Sequence, residues 1–179
     1  MIDLRELRKH FIIPHLQNGG TAVDYTMGNG HDTLMLAELA DHVYAFDIQE
    51  KAIESTKRLL VEHKRLDKCT LILDSHSNAK KYISGPVKAG VFNLGYLPGG
   101  DKTITTRTDT TLIAADTAIE LMADGGIVFI AVYPGHEEGK LEGELLEKRY
   151  GNLDRRIYCY SSFKILNSPD SPYFLIIEK

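Results

Sequence analysis

Five short polar strings interrupt otherwise apolar runs in this chain, and each carries side chains able to hold or activate a ligand. The first is Asp24, Tyr25, Thr26, Met27, Gly28, Asn29, Gly30, His31, Asp32, in which two glycines separated by one residue allow a tight turn and close backbone approach to a ligand. Thr33 stands where a dinucleotide fingerprint has its third glycine, and no Gly-Lys-Ser/Thr run follows, so a P-loop is absent. The same glycines serve equally in a plain structural turn. Phe46, Asp47, Ile48, Gln49 puts a carboxylate where it can accept from two ribose hydroxyls, or cap the helix that follows. Asp74, Ser75, His76 can bracket an adenine edge, or cap a helical turn with His76 in an exposed loop. Three consecutive strings of this kind are poorly explained as caps alone.

The other two strings suit an acceptor. Asn93, Leu94, Gly95, Tyr96, Leu97, Pro98, Gly99, Gly100, Asp101 joins a carboxamide that can accept from a nitrogen nucleophile to a ring, three residues on, that can pack on a flat substrate. As plain structure, Tyr96 is packing and Pro98 to Gly100 a turn. Tyr133, Pro134, Gly135, His136, Glu137, Glu138 forms a second conspicuous loop. His136 has no partner histidine four residues away, so no metal site is expected.

These strings fall at the ends of predicted strands. Periodicity predicts strands over Thr21 to Tyr25, His42 to Asp47, Thr70 to Leu73, Val87 to Leu94 and Ile127 to Tyr133. Helices are predicted over Asp3 to Leu16, Asp32 to Ala40, Gln49 to His63, Thr106 to Ala123 (ended by Gly125 and Gly126) and Glu137 to Tyr150, with a weak turn at Ala79 to Ile83. Arg155 to Tyr160 and Tyr173 to Glu178 read as a terminal antiparallel hairpin about Asn167 to Asp170. Strands alternating with helices give a doubly wound α/β sheet, in which ligands bind beyond the strands' carboxyl ends.

With 179 residues, 43% of them hydrophobic and 26% charged, the chain is expected to form one soluble domain over residues 1–179. A net charge of −4 argues against coating nucleic acid by bulk charge, though not against a local basic patch. Cys69 and Cys159 suggest neither a disulfide framework nor a zinc ribbon, which fits a reducing cytoplasm. Charges at Asp3, Arg5, Glu6, Arg8 and Lys9 interrupt the first apolar run, so no signal peptide is expected, and no segment suits a membrane span.

Taken together, the strings resemble a class I S-adenosylmethionine-dependent methyltransferase. Asp24, Gly28 and Gly30 match its acidic and glycine motif with Thr26 in place of the first glycine, Asp47 matches the ribose-binding acid, and Asp74 the motif near adenine. Asn93, Leu94, Gly95, Tyr96 is similar to the Asn-Pro-Pro-Tyr motif of nitrogen methyltransferases with its prolines lost. More narrowly, Thr26 to Thr33, Asn93 to Lys102 and Tyr133 to Gly139 resemble a small bacterial family labelled rRNA methylase, over essentially the whole chain. The resemblance implies a Rossmann-like, mostly parallel seven-stranded sheet and a homodimer. It also implies methylation of the 5-aminomethyl group on the wobble uridine of tRNA.

Residues and resemblance together assign Asn93, Tyr96, Asp32 and His31 to catalysis, the last two with His136 as candidates to manage the acceptor's proton. Cofactor contacts fall to Asp24, Gly28, Asn29, Gly30, Asp47, Gln49, Asp74, Ser75, His76 and Asn93, and substrate contacts to Tyr96, Lys102, Tyr133 and His136. Arg5, Arg8, Lys9, Lys102, Arg107, Arg155 and Arg156 are expected phosphate contacts clustered around the pocket, against the alternative of a solvated surface. Competing readings are an rRNA or small-molecule methyltransferase of the same fold, a nicotinamide-dependent oxidoreductase, and a non-catalytic RNA- or nucleotide-binding module.

Overall fold

Strands apolar on both sides must be covered on both faces, and in the computed structural model, which describes residues 4–101 and 103–179, they are. Strands β1 (Thr21–Asp24), β2 (His42–Asp47), β3 (Cys69–Leu73), β4 (Val87–Asn93) and β5 (Met122–Val132) are parallel. The remaining two, β6 (Cys159–Phe163) and β7 (Tyr173–Glu178), complete a seven-stranded sheet of order β3-β2-β1-β4-β5-β7-β6. Strand β7 lies antiparallel between β5 and β6, so the terminal hairpin contributes one internal strand and one edge. This is the sheet expected of a class I methyltransferase fold, with its order reversing between β1 and β4.

Alternate residues of each strand enter opposite layers. Ala22, Val43, Val91 and Phe129 pack with Ile12, Leu36 and Leu60 from α1 (Leu4–Ile12), α2 (His31–Leu39) and α3 (Glu50–Glu62). Val23, Phe92, Val128 and Ile130 face Ala114, Ala118 and Leu146 from α4 (Thr108–Glu120) and α5 (Glu137–Tyr150). Within the second layer Tyr25 stacks on Phe92, their rings 4.2 Å apart, directly beneath the β1–β4 rim. Among the described residues no helix is long and apolar enough to cross a membrane.

Several predicted elements differ from those observed. Helix α4 stops at Glu120, not Ala123, because Val87 N–H donates to Leu121 O and Val87 pairs with Met122, so the chain enters the sheet at once. Gly125 and Gly126, expected to end that helix, instead lie in a bulge of β5, where the register jumps from Val87↔Met122 to Ala89↔Ile127. Strand β6 begins at Cys159 instead of Arg155 because Asp154 closes a turn first: its carboxylate accepts from Arg156 N and its carbonyl from Ile157 N and Tyr158 N. The first helix ends at Ile12 and continues as a 3-10 turn over Ile13–Leu16, led by Pro14.

Candidate active site

The rim between β1 and β4 is built outward from buried Asp24. Its Oδ1 accepts from Thr26 N at 3.1 Å and its Oδ2 from Thr33 Oγ1 at 2.7 Å, so both arms of the glycine turn hang on one carboxylate. Burial, and then the nearby charge of Asp32, raise the Asp24 pKa. Gly30 has φ +86°, and a Cβ there would lie 2.8 Å from Thr56 Oγ1 and 2.9 Å from Thr56 Cα, so α3 is packed directly against the turn. Thr56 Oγ1 also donates to Gly28 O at 3.1 Å. Thr33, which departs from the dinucleotide pattern, thus has a definite partner in Asp24.

Asp47 at the end of β2 reaches the same turn. Its Oδ2 accepts from Gly28 N at 3.1 Å and its Oδ1 from Gln49 N at 3.0 Å, and burial raises its pKa. At the end of β3, Asp74 is engaged by its own loop: Ser75 N, Asn78 Nδ2 and Tyr82 Oη donate to it at 2.7, 2.9 and 2.8 Å. These bonds hold its carboxyl below the ordinary range, Asn78 contributing most. Ser75 caps the 3-10 turn His76–Lys81. His76, expected at an adenine edge or in an exposed loop, is not exposed. It is buried, with its Nδ1 3.1 Å from Tyr25 O and its ring edge-on to Phe92. Burial lowers its pKa, which favours the neutral ring.

The acceptor side centres on Asn93. Its backbone N–H donates to Thr26 Oγ1 at 2.7 Å, so the threonine in place of the family's first glycine ties the β1 turn to the end of β4. Its Nδ2 donates to Asp32 Oδ2 at 3.4 Å, while its buried Oδ1 has no hydrogen-bond partner among the described residues. Asp32 is itself buried beneath α1, where Arg8 Nη1 donates to its Oδ2 at 2.7 Å and Arg8 Nη2 lies 2.5 Å from its Oδ1. His31 beside it is exposed.

Residues 95–101 and 103–106 belong to a loop closed at its base. Gly95 N donates to Thr106 Oγ1 and Thr106 N to Gly95 O, both at 2.9 Å, and Tyr96 bridges to Thr105. The Thr106 hydroxyl donates to Glu142, a fully buried carboxylate on α5 that also accepts from Thr111 Oγ1 at 2.6 Å. Burial raises the Glu142 pKa. The loop then folds back over the glycine turn: Leu97 packs with Met27, Ala45 and Ala52, Asn29 Nδ2 donates to Pro98 O, and Lys51 Nζ to Gly99 O. Beyond β5, Tyr133 stays partly exposed and His136 caps α5, its Nδ1 accepting from Gly139 N at 3.0 Å.

Asp24, Asn93 and Asp32 are linked through Thr26, Asp47 holds the same turn at Gly28, and Asn29 and Gly30 lie on that turn. The expected phosphate contacts are not so placed. Arg8 is buried in its ion pair, and Arg155 and Arg156 precede Cys159, which is level with Ile127 at the opposite end of the sheet. Lys9, Arg107 and Arg156 each have a nearby carboxylate in Glu6, Asp109 and Asp154. Lys102 and the Arg5 side chain lie outside the described residues. Sequence reasoning missed Thr26, Thr56 and Glu142; only Thr26 carried a signal, as a hydroxyl at a glycine position.

Comparison with known proteins agrees with this arrangement. The family described as "Putative rRNA methylase" matches residues 43–179. The chain is 37% identical, over 92% of its length, to the tRNA (mnm(5)s(2)U34)-methyltransferase, chloroplastic, of Arabidopsis thaliana, and spans 65% of that protein. A putative rRNA-methylase from Clostridium thermocellum superposes with a TM-score of 0.95 at 38% identity, covering 100% of this chain and 98% of that one. A putative methyltransferase from Streptococcus mutans in complex with SAH gives 0.91 at 34% identity, covering 100% and 99%. A glycine turn suspended from Asp24, a carboxylate at the end of β2, an asparagine at the end of β4, and matches of this extent lead to one assignment: the chain belongs to the rRNA methylase family.

Proposed function

We propose that the protein is an S-adenosylmethionine-dependent N-methyltransferase acting on the aminomethyl group of 5-aminomethyl-(2-thio)uridine at the tRNA wobble position. The observation that carries this reading is Asn93, whose amide nitrogen is occupied by Asp32 while its buried carbonyl oxygen is left to accept. A neutral primary amine that donates one N–H to Oδ1 keeps its lone pair for attack, whereas an ammonium has none. The relative named for a wobble-uridine methyltransferase supports the choice of acceptor.

The residues present suit the cofactor. Gly28 and Gly30 form a tight positive-φ turn backed by Thr56, and Asp47 stands beside it with two oxygens able to accept from ribose hydroxyls. When bound, S-adenosylmethionine supplies a methyl group activated by its positive sulfur. Asp47 and the glycine turn would orient it, Asn93 would hold the amine in line, and Tyr96, carried on the loop closed by Thr106, would pack on the base. Tyr133 and His136 lie on the adjoining loop as candidate substrate contacts.

Asp47→Ala is expected to weaken cofactor binding about 10- to 100-fold through loss of charge-assisted hydrogen bonds, with the fold retained. Calorimetric titration with S-adenosylhomocysteine reads this, and wild-type affinity in the variant would remove Asp47 from the site.

The reaction itself is tested by transfer of labelled methyl to undermodified tRNA carrying 5-aminomethyl-2-thiouridine, followed by nucleoside mass spectrometry. A new methylaminomethyl nucleoside is the expected product. Cofactor binding without transfer to this tRNA would reject the acceptor and direct the search to rRNA and small amines.

A further inference from the structure

The two ends of a carboxamide are nearly identical in shape, so packing alone does not choose which one faces a ligand. At Asn93 the choice matters, because an oxygen facing the acceptor receives an N–H, whereas an NH2 would occupy the lone pair that must attack. Behind Asn93 stands Asp32, and behind Asp32 stands Arg8 on α1, the two charged side chains only 7% and 10% exposed. A carboxylate can only accept, so it draws the NH2 end of Asn93 toward itself and repels the carbonyl end. The 3.4 Å separation from Nδ2 to Oδ2 is long for a hydrogen bond, so the preference depends on the carboxylate's charge more than on a tight contact.

We propose that the buried Arg8–Asp32 pair is a positioning device that sets the orientation of the Asn93 carboxamide, making the first helix part of the active site. The proposal rests on the reading of Asn93 as the group that receives the acceptor amine. Asp32 then acts through Asn93 rather than as the base for the acceptor's proton, since Arg8 meets both of its oxygens and Asn93 one of them. Arg8, expected from sequence to bind phosphate, is instead buried against Asp32.

The device has a pH signature with a definite sign. Asp32 is faced by Arg8 from α1, Asp24 from β1, His31 on its own helix and the Asn93 amide from β4. Burial raises its pKa, while Arg8 first, then Asn93 and His31, oppose the rise. As pH falls, Asp32 takes up a proton, ceases to repel the Asn93 carbonyl, and the orientation is lost. Removing the Arg8 charge brings that loss to higher pH. Asp24 and Asp32 interact, so the observed midpoint belongs to the pair.

The test uses the full chain with Arg8→Gln and Arg8→Lys, read in two ways. First, turnover on the aminomethyl tRNA is followed against pH. Arg8→Gln is expected to move the acid limb upward and to lower turnover at pH 7 about 10- to 100-fold. Arg8→Lys is expected to move the limb back toward wild type, while the acceptor's own proton contributes equally in all three proteins. Second, the side-chain amide resonance of Asn93 is followed in the substrate-free protein, where it should titrate with Asp32 and shift its midpoint upward in Arg8→Gln.

A folded Arg8→Gln protein whose limb and Asn93 resonance match wild type would overturn the proposal. If Arg8→Gln does not fold, the wild-type resonance decides, and an Asn93 amide indifferent to pH would equally overturn it. If wild-type protein binds cofactor but does not methylate this tRNA, the acceptor assignment fails while the resonance still decides the role of Arg8 and Asp32.

Discussion

Asn93→Ala is expected to lower methyl transfer by about 10²- to 10³-fold, the loss found when one aligned hydrogen-bonding group is removed from a reacting centre. Affinity for the cofactor should stay within about threefold, because the contacts proposed for it come mainly from the glycine turn and Asp47, whose bonds the substitution leaves in place. The backbone N–H of residue 93 still donates to Thr26 Oγ1, so the link between β1 and β4 survives. Asp32 loses one weak donor and keeps Arg8, so no buried charge is orphaned. Single-turnover methyl transfer and calorimetry on the same preparation separate the two effects. Unchanged turnover would remove Asn93 from the mechanism, and an equal loss of cofactor affinity would make it a cofactor residue instead.

Gly30→Ala is expected to cost about 2–5 kcal/mol of stability, the sum of a left-handed backbone at a residue with a Cβ and of overpacking in a filled site. Gly30 has φ +86°, and the atoms in the way include the Cα of Thr56, which cannot rotate aside as a side-chain end would. If Thr56 is pushed outward, its bond to Gly28 O is strained and the turn opens, so cofactor affinity should fall with stability. Thermal unfolding should show a midpoint lower by roughly 5–15 °C for a chain of this size. Gly99→Ala is the matched control: φ is +76° there too, but nothing lies within 4 Å of a Cβ. It should incur only the backbone term of about 1–2 kcal/mol. Equal losses in the two variants would show that contact with Thr56 contributes nothing.

Both predictions concern residues that the sequence exposes, because each belongs to a local pattern. Glycines after an apolar run, and polar residues ending one, can be recognised from neighbours a few positions away. The same locality explains why periodicity and breakers place β2, α5 and β7 at their observed bounds and misplace the starts of β5 and β6. The start of β5 depends on Val87 reaching Leu121 and Met122 across the sheet, while that of β6 depends on a turn closed by Asp154. A Gly-Gly pair ends a helix or forms a bulge according to the strand beside it.

Charged side chains were the least legible. In sequence Arg8 reads as a phosphate contact or a solvated base, Glu142 as one of several acids on a charged helix, and His76 as an adenine contact or an exposed loop residue. Their roles come from partners far along the chain: Arg8 meets Asp32 across 24 positions, Glu142 meets Thr106 across 36, and His76 meets Tyr25 O across 51. Periodicity states which face of an element is apolar, but not which element covers a polar group on that face. By itself the sequence determined the doubly wound sheet and the strand ends at which Asp24, Asp47 and Asn93 stand, since alternation and breakers are local properties. Tertiary structure alone decided which polar groups are buried together, and so that Asn93 has a carboxylate and an arginine behind it. A buried charge must find its counterpart, and only the tertiary contacts of α1 with α2, and of α2 with the end of β4, bring that counterpart within reach.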